Sequence, residues 1–386
     1  MFCDPEANGL STPRKTSHFL TRKRPISIVI RLSEETLTMR TETTSAATCF
    51  FWIAAFCGSL ISPAFGQEKF FEGKRIRIIV GFSAGGGFDA YSRAIGRHMS
   101  KHIAGTPSIL VENMGGAGSM IAANHVYNQA KPDGLTIGNW IGGLILQQAL
   151  GAKGIAFDAA KFEWVGAPVR INNACFLTRK SGITSLDKWM ESKILVKIGA
   201  EAAGSTTADI PRLLMKYTKL PLQLIEGYKG VADVRLAAEA GEVAGFCSSW
   251  EGTKTSWRNV LESNEASVIL QAGPKPHPDH PNAPLAIDQI QSKEGRDLFN
   301  LVVHEVGGTI NRLYSLPPGT PKERVKILQK AFQDTLKDPE FLADAKKTRL
   351  DIDPLTGEEI EKTVGQIKSI PAATIAKLKD VILPSR

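Results

Sequence analysis

The sequence predicts an α/β protein with two lobes that face one cleft. Short β-branched strands are followed repeatedly by loops of glycine and small polar residues, and then by helical patterns. Two such strand, loop and helix units, at Ile76–Arg93 and Ile194–Leu214, are far apart in the chain. Because the loops of parallel sheets gather at the carboxyl ends of the strands, each unit predicts one wall of a common cleft.

The first unit predicts an anion site. The apolar run Ile76–Val80 ends at a loop that contains Gly85, Gly86 and Gly87, and a helical pattern with Ala94 and Ile95 on one face follows. Glycines permit outward-pointing N–H groups, and the start of a helix adds partial positive charge.

Two more strands follow, at Ser108–Glu112 and Leu135–Gly138. The first closes on a small-residue loop at Asn113–Ser119, and the second precedes Gly142, Gly143 and a helix over 144–149. This alternation predicts a parallel sheet.

The middle of the chain repeats the pattern. We predict strands at Ala174–Thr178, Ile194–Ala200, Pro221–Ile225 and Glu242–Cys247, and a helix at Val231–Ala240. Five prolines make 274–284 an extended surface loop. Three helices end the chain, at Pro321–Lys337, Pro339–Thr348 and Gly357–Ile370.

Composition excludes several classes of protein. The 386 residues are 42% hydrophobic and 22% charged, which is ordinary globular composition with room for two domains. The formal charge of +8 comes from bases that are scattered among acids, without an aromatic and basic recognition motif. We therefore expect no nucleic-acid partner.

The N-terminal part predicts export. Residues 39–66 contain a weakly basic start, the apolar block Cys49–Ile61 and a small-residue end, as a secretory signal does, with cleavage near Gly66. A retained anchor or a buried helix is the alternative. Residues 1–38 then form a mis-called or disordered extension upstream of Met39.

Cysteine and histidine spacing leaves two questions open. Cys175 and Cys247 could form one disulfide in an oxidising compartment, but nothing in the sequence brings them together, so we favour buried free thiols. His98 and His102 lie four residues apart without a third ligand nearby in sequence. We expect a solvated helix face there and no metal.

From about Lys69 onward the chain resembles the substrate-binding proteins of tripartite tricarboxylate transporters, the Bug-type periplasmic receptors. The matching motifs are the Gly85-Gly86 loop with Asp89 and Arg93, Val111–Asn113 with Gly116–Gly118, Pro132–Thr136, Gly204-Ser205, Tyr228–Gly230 and Pro318–Pro321.

This resemblance implies a type II periplasmic-binding-protein fold of the Venus-flytrap kind, with hinge strands between the lobes. Lobe 1 would comprise 67–171 and 306–386, and lobe 2 would comprise 172–305. It also implies a periplasmic, non-enzymatic receptor without a cofactor. Its partners would be a small carboxylate and the permease subunits of a tripartite tricarboxylate-type transporter, and we expect a monomer.

The chain departs from the family pattern in its loops. Gly87-Phe88 replaces the usual Ser or Thr pair, Ala208 or Asp209 stands where a histidine is common, and Glu226 adds an acid before Tyr228.

We expect a ligand carboxylate to accept hydrogen bonds from the backbone N–H groups of Ser83 to Gly87 and from the Ser83 hydroxyl. The hydroxyls of Ser205–Thr207 would hold the far end, and Asp89 would cap the helix or orient a water. The predicted ligand-binding residues are Phe82, Ser83, Ala84, Gly85, Gly86, Gly87, Asp89, Gly142, Gly143, Gly204, Ser205, Thr206, Thr207 and Tyr228.

Two enzymatic alternatives use the same stretch. Gly81–Gly85 fits the hydrolase elbow G-x-S-x-G with Ser83 as nucleophile, but too few strands precede it. Gly85–Ala90 fits a dinucleotide fingerprint with Glu112 after the next strand, which makes an NAD-dependent oxidoreductase the leading alternative. The negative charge of Asp89 would repel a pyrophosphate bound at the start of that helix.

Overall fold

The computed structural model describes residues 70–383. The proposed extension 1–38 and the signal peptide 39–66 lie outside the described residues, and both stay predictions. Within residues 70–383, no helix is both long and apolar enough to cross a membrane.

Eleven strands form two sheets in the described part of the chain. We call the six-stranded sheet with its helices lobe 1 and the five-stranded sheet with its helices lobe 2. The strands of lobe 1 are β1 (Arg75–Val80), β2 (Ser108–Asn113), β3 (Thr136–Ile141), β4 (Glu163–Ala167), β10 (Arg312–Leu316) and β11 (Leu355–Thr356). Those of lobe 2 are β5 (Asn173–Thr178), β6 (Val196–Ala200), β7 (Leu222–Glu226), β8 (Gly245–Ser249) and β9 (Ala266–Gln271).

Thirteen α-helices within residues 70–383 cover these sheets. Those of lobe 1 are α1 (Gly87–His98), α2 (Met120–Asn128), α3 (Gly143–Ala149), α10 (Lys322–Thr335), α11 (Pro339–Thr348) and α12 (Gly357–Lys368). The last helix, α13 (Ala372–Ile382), packs on the lobe 2 helix Thr206–Tyr217, and its Asp380 pairs with Lys216 of that helix. The helices between β5 and β10 are α4 (Leu186–Met190), α5 (Thr206–Tyr217), α6 (Val231–Ala240), α7 (Trp250–Ser256), α8 (Arg258–Glu262) and α9 (Lys293–Phe299). The predicted α/β class with two lobes is confirmed.

The sheets are mixed, so the prediction of a parallel sheet holds for only part of each. The order in lobe 1 is β11-β4-β10-β3-β1-β2, with β1 parallel to both β2 and β3. Strand β10 runs antiparallel to β3 and β4. A parallel neighbour is normally reached through a local crossover helix. Strand β10 instead enters the sheet after the chain has passed through lobe 2, so it can run antiparallel to its neighbours.

The sheet of lobe 2 has the order β7-β6-β8-β5-β9. Strand β6 is parallel to β7 and β8, whereas β5 is antiparallel to β8 and β9. Burial of all six residues of β5 fits a central strand that is covered on both faces.

Two segments connect the lobes. The first is the link between β4 and β5, and the second is α9, which continues as a π-helix at Asn300–Thr309 and leads to β10. The return segment is thus helical where hinge strands were expected. The proposed boundary between residues 305 and 306 lies inside this π-helix, and the exact lobe boundaries stay a prediction.

Cys175 and Cys247 form a disulfide, so the expectation of free thiols is wrong. The two residues are direct neighbours in the pairing of β5 with β8, and both side chains are fully buried. The strand register brings them together, which their 72-residue separation in the chain does not reveal.

Candidate functional site

The loops at the carboxyl ends of the strands meet between the two lobes. Arg235 of lobe 2 donates a hydrogen bond to the Gly85 carbonyl of lobe 1 at 3.2 Å. Gly230, before α6, contacts Ser83 so closely that a Cβ atom on this glycine would lie 2.3 Å from Ser83 Oγ. The lobes are therefore closed on each other around the glycine-rich loop.

A small cavity of about 20 Å³ lies between the lobes. Lobe 1 contributes Gly87, Phe88, Ile141, Asn311 and Arg312 to its wall, and lobe 2 contributes Glu201, Thr206, Val231, Ser248, Ser249, Gly252, Thr253 and Ser256. This volume holds about one water molecule, so a larger ligand would hold the lobes further apart than they lie here. Hydroxyl, amide and guanidinium groups dominate the polar part of the wall, so most of what faces the cavity can donate a hydrogen bond.

Asp89 organises the first loop from inside α1. Its carboxylate accepts from the Gly85 N–H at 2.9 Å, from Asn113 at 3.0 Å and from Arg93, with which it forms a 2.9 Å ion pair. Burial by itself would raise the pKa of Asp89, but these three donors together hold it below its ordinary value. Asp89 does not cap the helix, because Gly86 is the N-cap residue of α1 and no side chain caps it.

The other residues of the first loop have different surroundings. Phe82 is buried against Phe88, with ring centroids 4.3 Å apart. Ala84 and Gly85 are exposed, Gly86 is buried, and only Gly87 lines the cavity. Because Asp89 occupies the Gly85 N–H, this group is not free for a ligand in the closed form.

Ser83 Oγ is buried without a hydrogen-bond partner in the described chain. A hydrolase nucleophile needs a base within hydrogen-bond reach, and no such base contacts Ser83 in residues 70–383. The geometry gives the elbow interpretation no support.

Three predicted glycines lie where backbones meet. A Cβ atom on Gly142 would lie 1.9 Å from the Ile310 carbonyl oxygen, and one on Gly143 would lie 1.8 Å from the Gly204 carbonyl oxygen. Gly204 has a φ of +88° and donates its N–H to Asp209 at 3.0 Å. Gly143 and Gly204 permit close contact between the lobes, and Gly142 permits close packing against the segment that leads into β10.

The hydroxyls of the second loop are divided between two roles. Ser205 Oγ donates to the Ala202 carbonyl at 2.7 Å and contacts Thr207 Oγ1 at 2.7 Å. Thr207 Oγ1 in turn donates to Glu201 at 3.0 Å. Of the three predicted residues, Thr206 is the one that lines the cavity.

Glu201 and Asp209 are buried carboxyl groups beside this loop. Burial raises the pKa of each to about 7, although Thr207 bonds to Glu201 and the charge of Arg212 favours ionised Asp209. Tyr228 lies away from the cavity and donates its hydroxyl to Glu242 at 2.7 Å. Burial and this carboxylate raise the pKa of Tyr228 to about 12.

Arg312, Ser249 and Thr253 are cavity residues that the sequence reasoning missed. Arg312 is 2% exposed, and its Nη2 donates to Ser249 Oγ at 2.7 Å across the two lobes. Strand β10 lacks a β-branched run, so its pattern gave no sign of a strand, and one arginine among many carries no local signal of burial.

His98 and His102 do not form the solvated face that was expected. His98 lies 3.1 Å from Asp344, and His102 lies 3.1 Å from Asp338. Possible ligand atoms of His98, Asp338 and Glu340 all lie within 4.8 Å of one another. The Lys101 ammonium pairs with Asp338 and Glu340. Its positive charge therefore takes the carboxylate oxygens that a metal ion would need as ligands.

Known structures share this architecture. The periplasmic binding protein BugD superposes with a TM-score of 0.64 at 22% identity, over 80% of this chain and 97% of that one. MatC from Rhodopseudomonas palustris, solved with bound malate, has a TM-score of 0.61 at 21% identity over 80% and 99% of the two chains. An R. palustris protein solved with adipate has a TM-score of 0.64 at 20% identity over 80% and 98%.

No protein-family model and no curated protein matches the chain. BugD is a periplasmic binding protein, and none of the three structures named here supports the oxidoreductase alternative. The chain therefore has the two-lobe α/β fold of the periplasmic solute-binding proteins.

Proposed function

We propose that this protein is a periplasmic receptor that captures a small carboxylate between its lobes and delivers it to a transporter of the tripartite tricarboxylate type. The observation that carries the proposal is the donor-rich cavity between the lobes, with a buried guanidinium, a helix start at Gly87 and several hydroxyls in its wall. Such groups favour a ligand that accepts hydrogen bonds and carries negative charge.

Membership in the Bug-type receptor family is part of this proposal. The motifs at Gly85–Arg93 and Tyr228–Gly230 and the fold support it, as do two similar proteins solved with malate and with adipate. Neither relative determines the ligand of this chain. We further propose that the receptor is a monomer, has no enzymatic activity and needs no cofactor, metal or nucleic acid.

Calorimetric titration of the full chain tests carboxylate capture. The probes are malate and adipate, their neutral diamides and NAD, after urea dialysis has removed any ligand that was purified with the protein. We expect one-to-one binding of at least one carboxylate and no binding of its diamide. A ligand at 100 times its Kd adds about 2.7 kcal/mol to the free energy of unfolding, so a thermal melt gives a second readout.

Binding of NAD without binding of any carboxylate would overturn the proposal. Export has its own test, which is osmotic-shock fractionation followed by N-terminal sequencing. We expect the protein in the periplasmic fraction with Gln67 as its first residue. Retention in the membrane fraction with residues 39–66 attached would favour an anchor instead.

A further inference from the structure

Arg312 is a buried cation at the junction of the lobes. It is the first residue of β10, where the chain re-enters the sheet of lobe 1, and its side chain is 2% exposed. Its Nη2 donates to Ser249 Oγ, at the end of β8 in lobe 2. The guanidinium thus lies in the wall of the interlobe cavity and contacts both lobes.

The charge of Arg312 lacks a direct counter-ion in the closed form. Within residues 70–383, no carboxylate oxygen lies within 4.0 Å of its nitrogens. Its Nε and Nη1 atoms are buried without hydrogen-bond partners. The rings of Phe88 and Tyr91, 5.1 and 5.0 Å from the guanidinium carbon, offer only weak cation–π contacts.

Glu251 is a buried acid whose charge interacts with that of Arg312, and Glu201 lies in the same cavity wall. The positive charge of Arg312 lowers the pKa of Glu251, although burial raises that pKa more strongly. The carboxylate of Glu251 already accepts from the Asn172 N–H at 2.9 Å and from the Asn172 amide at 3.0 Å. Glu251 therefore reduces the cost of burying Arg312 but leaves Nε and Nη1 unbonded.

Two glycines make room for the guanidinium. A Cβ atom on Gly87 of lobe 1 would lie 2.7 Å from Arg312 Nη2, and one on Gly252 of lobe 2 would lie 2.6 Å from the same atom. Closure brings these two glycines together around the side chain and excludes water from it. A buried charge without a partner is costly, so the closed form without a ligand carries a penalty that opening relieves.

We propose that Arg312 makes closure of the lobes depend on an anionic ligand, whose carboxylate accepts hydrogen bonds from one of the two unbonded nitrogens, Nε or Nη1, and from Nη2. Each of the pairs Nε with Nη2 and Nη1 with Nη2 is a planar fork that matches a carboxylate in a two-bond arrangement. With the carboxylate bound, burial of the charge is compensated and the closed form is favoured. Without it, the open form hydrates Arg312 and is favoured.

This inference rests on the proposed function, since it assigns the charge partner of the ligand in the same cavity. It also goes further, because it predicts which residue keeps the empty receptor open. Removing the charge while keeping the volume should let the lobes close without any ligand.

Small-angle X-ray scattering and calorimetry on the full chain test the inference, with malate and adipate as probes. The variants are Arg312→Met, Arg312→Lys and the control Arg77→Met, which removes an arginine whose partner, Glu112, lies in the same lobe. For the wild type and the control, we expect the radius of gyration to fall when a carboxylate is added. Arg312→Met should be compact without ligand, should show no further change, and should bind at least about tenfold more weakly.

Arg312→Lys keeps the charge but loses the planar fork. It should therefore stay open without ligand and bind the carboxylate at least about tenfold more weakly than the wild type. Circular dichroism checks that each variant is folded. If Arg312→Met does not fold, Arg312→Lys decides the matter, and wild-type affinity in that variant would overturn the inference. An Arg312→Met protein that is as open as the wild type would also overturn it.

These outcomes separate the inference from the proposed function. A wild-type protein that binds a carboxylate, together with unaffected Arg312 variants, contradicts the inference alone. A wild-type protein that binds no carboxylate contradicts the proposed function, whether or not Arg312→Met is compact.

Discussion

Gly143 of lobe 1 and Gly204 of lobe 2 meet backbone to backbone, because a Cβ atom on Gly143 would lie 1.8 Å from the Gly204 carbonyl oxygen. This is closer than any side chain can approach. The contact exists only while the lobes are closed around the cavity, so these positions report on closure.

Gly143→Ala should block closure without unfolding the protein. We expect carboxylate affinity to fall at least about tenfold, which corresponds to about 1.4 kcal/mol. The free energy of unfolding without ligand should change by about 0.5 kcal/mol or less, since the open form has room for the methyl group. Calorimetric titration and urea denaturation measure the two quantities.

Gly365→Ala is the matched control for this substitution. Gly365 is an exposed residue inside α12, and a Cβ atom there would meet nothing within 4 Å. It should leave binding unchanged and raise the free energy of unfolding by about 0.5–1 kcal/mol, because alanine is the better helix former. Equal affinity of Gly143→Ala and Gly365→Ala would show that the glycine contact is irrelevant to binding.

Substitution of Ser205 should lower stability, whereas substitution of Thr206 should weaken ligand binding. Ser205→Ala removes a partly buried hydrogen bond to the Ala202 carbonyl, which keeps only the Ser205 backbone N–H, so it should cost about 1 kcal/mol of unfolding free energy. Thr206→Ala removes a group from the cavity wall and should weaken carboxylate binding instead. Urea denaturation and calorimetric titration of both variants check the assignment. Weaker binding by Ser205→Ala with unchanged stability would show that Ser205 belongs to the ligand site.

The disulfide between Cys175 and Cys247 should contribute substantially to stability. It closes a segment with a sequence separation of 72 residues, and loops of this length cost the unfolded chain conformational entropy when they are closed. Replacing both cysteines with alanine should lower the free energy of unfolding by about 2–4 kcal/mol. Urea denaturation of oxidised protein, reduced protein and the variant tests this, and unchanged stability after reduction would contradict it.

The free energy of unfolding should depend on pH through the protonation of Glu201. Burial raises its pKa from 4.5 to about 7, so between these values the folded state holds a proton that the unfolded state has released. The contribution is fully present below pH 4.5 and is lost as the pH rises through 7, at up to about 1.4 kcal/mol per pH unit.

Glu201→Gln removes this titration and keeps the shape of the side chain. Asp209 acts in the same direction as Glu201, whereas the lowered pKa values of His280, to about 4, and of His304 act in the opposite one. The difference between wild type and variant is therefore the diagnostic quantity. We expect it to change between pH 5 and pH 8 in urea denaturation, and a constant difference would mean that Glu201 titrates normally.

Local pattern predicted much of the fold. The apolar run of β1 and the apolar face of α1 come from residues near each other in the chain, and both elements were found close to their predicted positions. The helix α11 was predicted with its observed bounds, since Asp338 caps it and Pro339 begins it. Strands β4, β9, β10 and β11 and helices α7, α8, α9 and α13 were missed.

The candidate site was predictable only in the loops that contribute Gly87 and Thr206. Glycine-rich loops after strands are visible in any sequence, which is why the region around Gly87 and Thr206 was found. The distribution of hydrogen bonds was not visible, because Asp89 takes the Gly85 N–H and Ser205 bonds to its own loop.

The sequence by itself determined that this chain alternates strands and helices and carries anion-ready loops in two separate units. The tertiary structure decided which residues those loops meet. Arg312 and Ser249 are 63 positions apart, and Cys175 and Cys247 are 72 apart, yet each pair is in contact. Periodicity reports which face of an element is buried, but the partner that covers the face is chosen by strand register and lobe closure, which are properties of the whole chain.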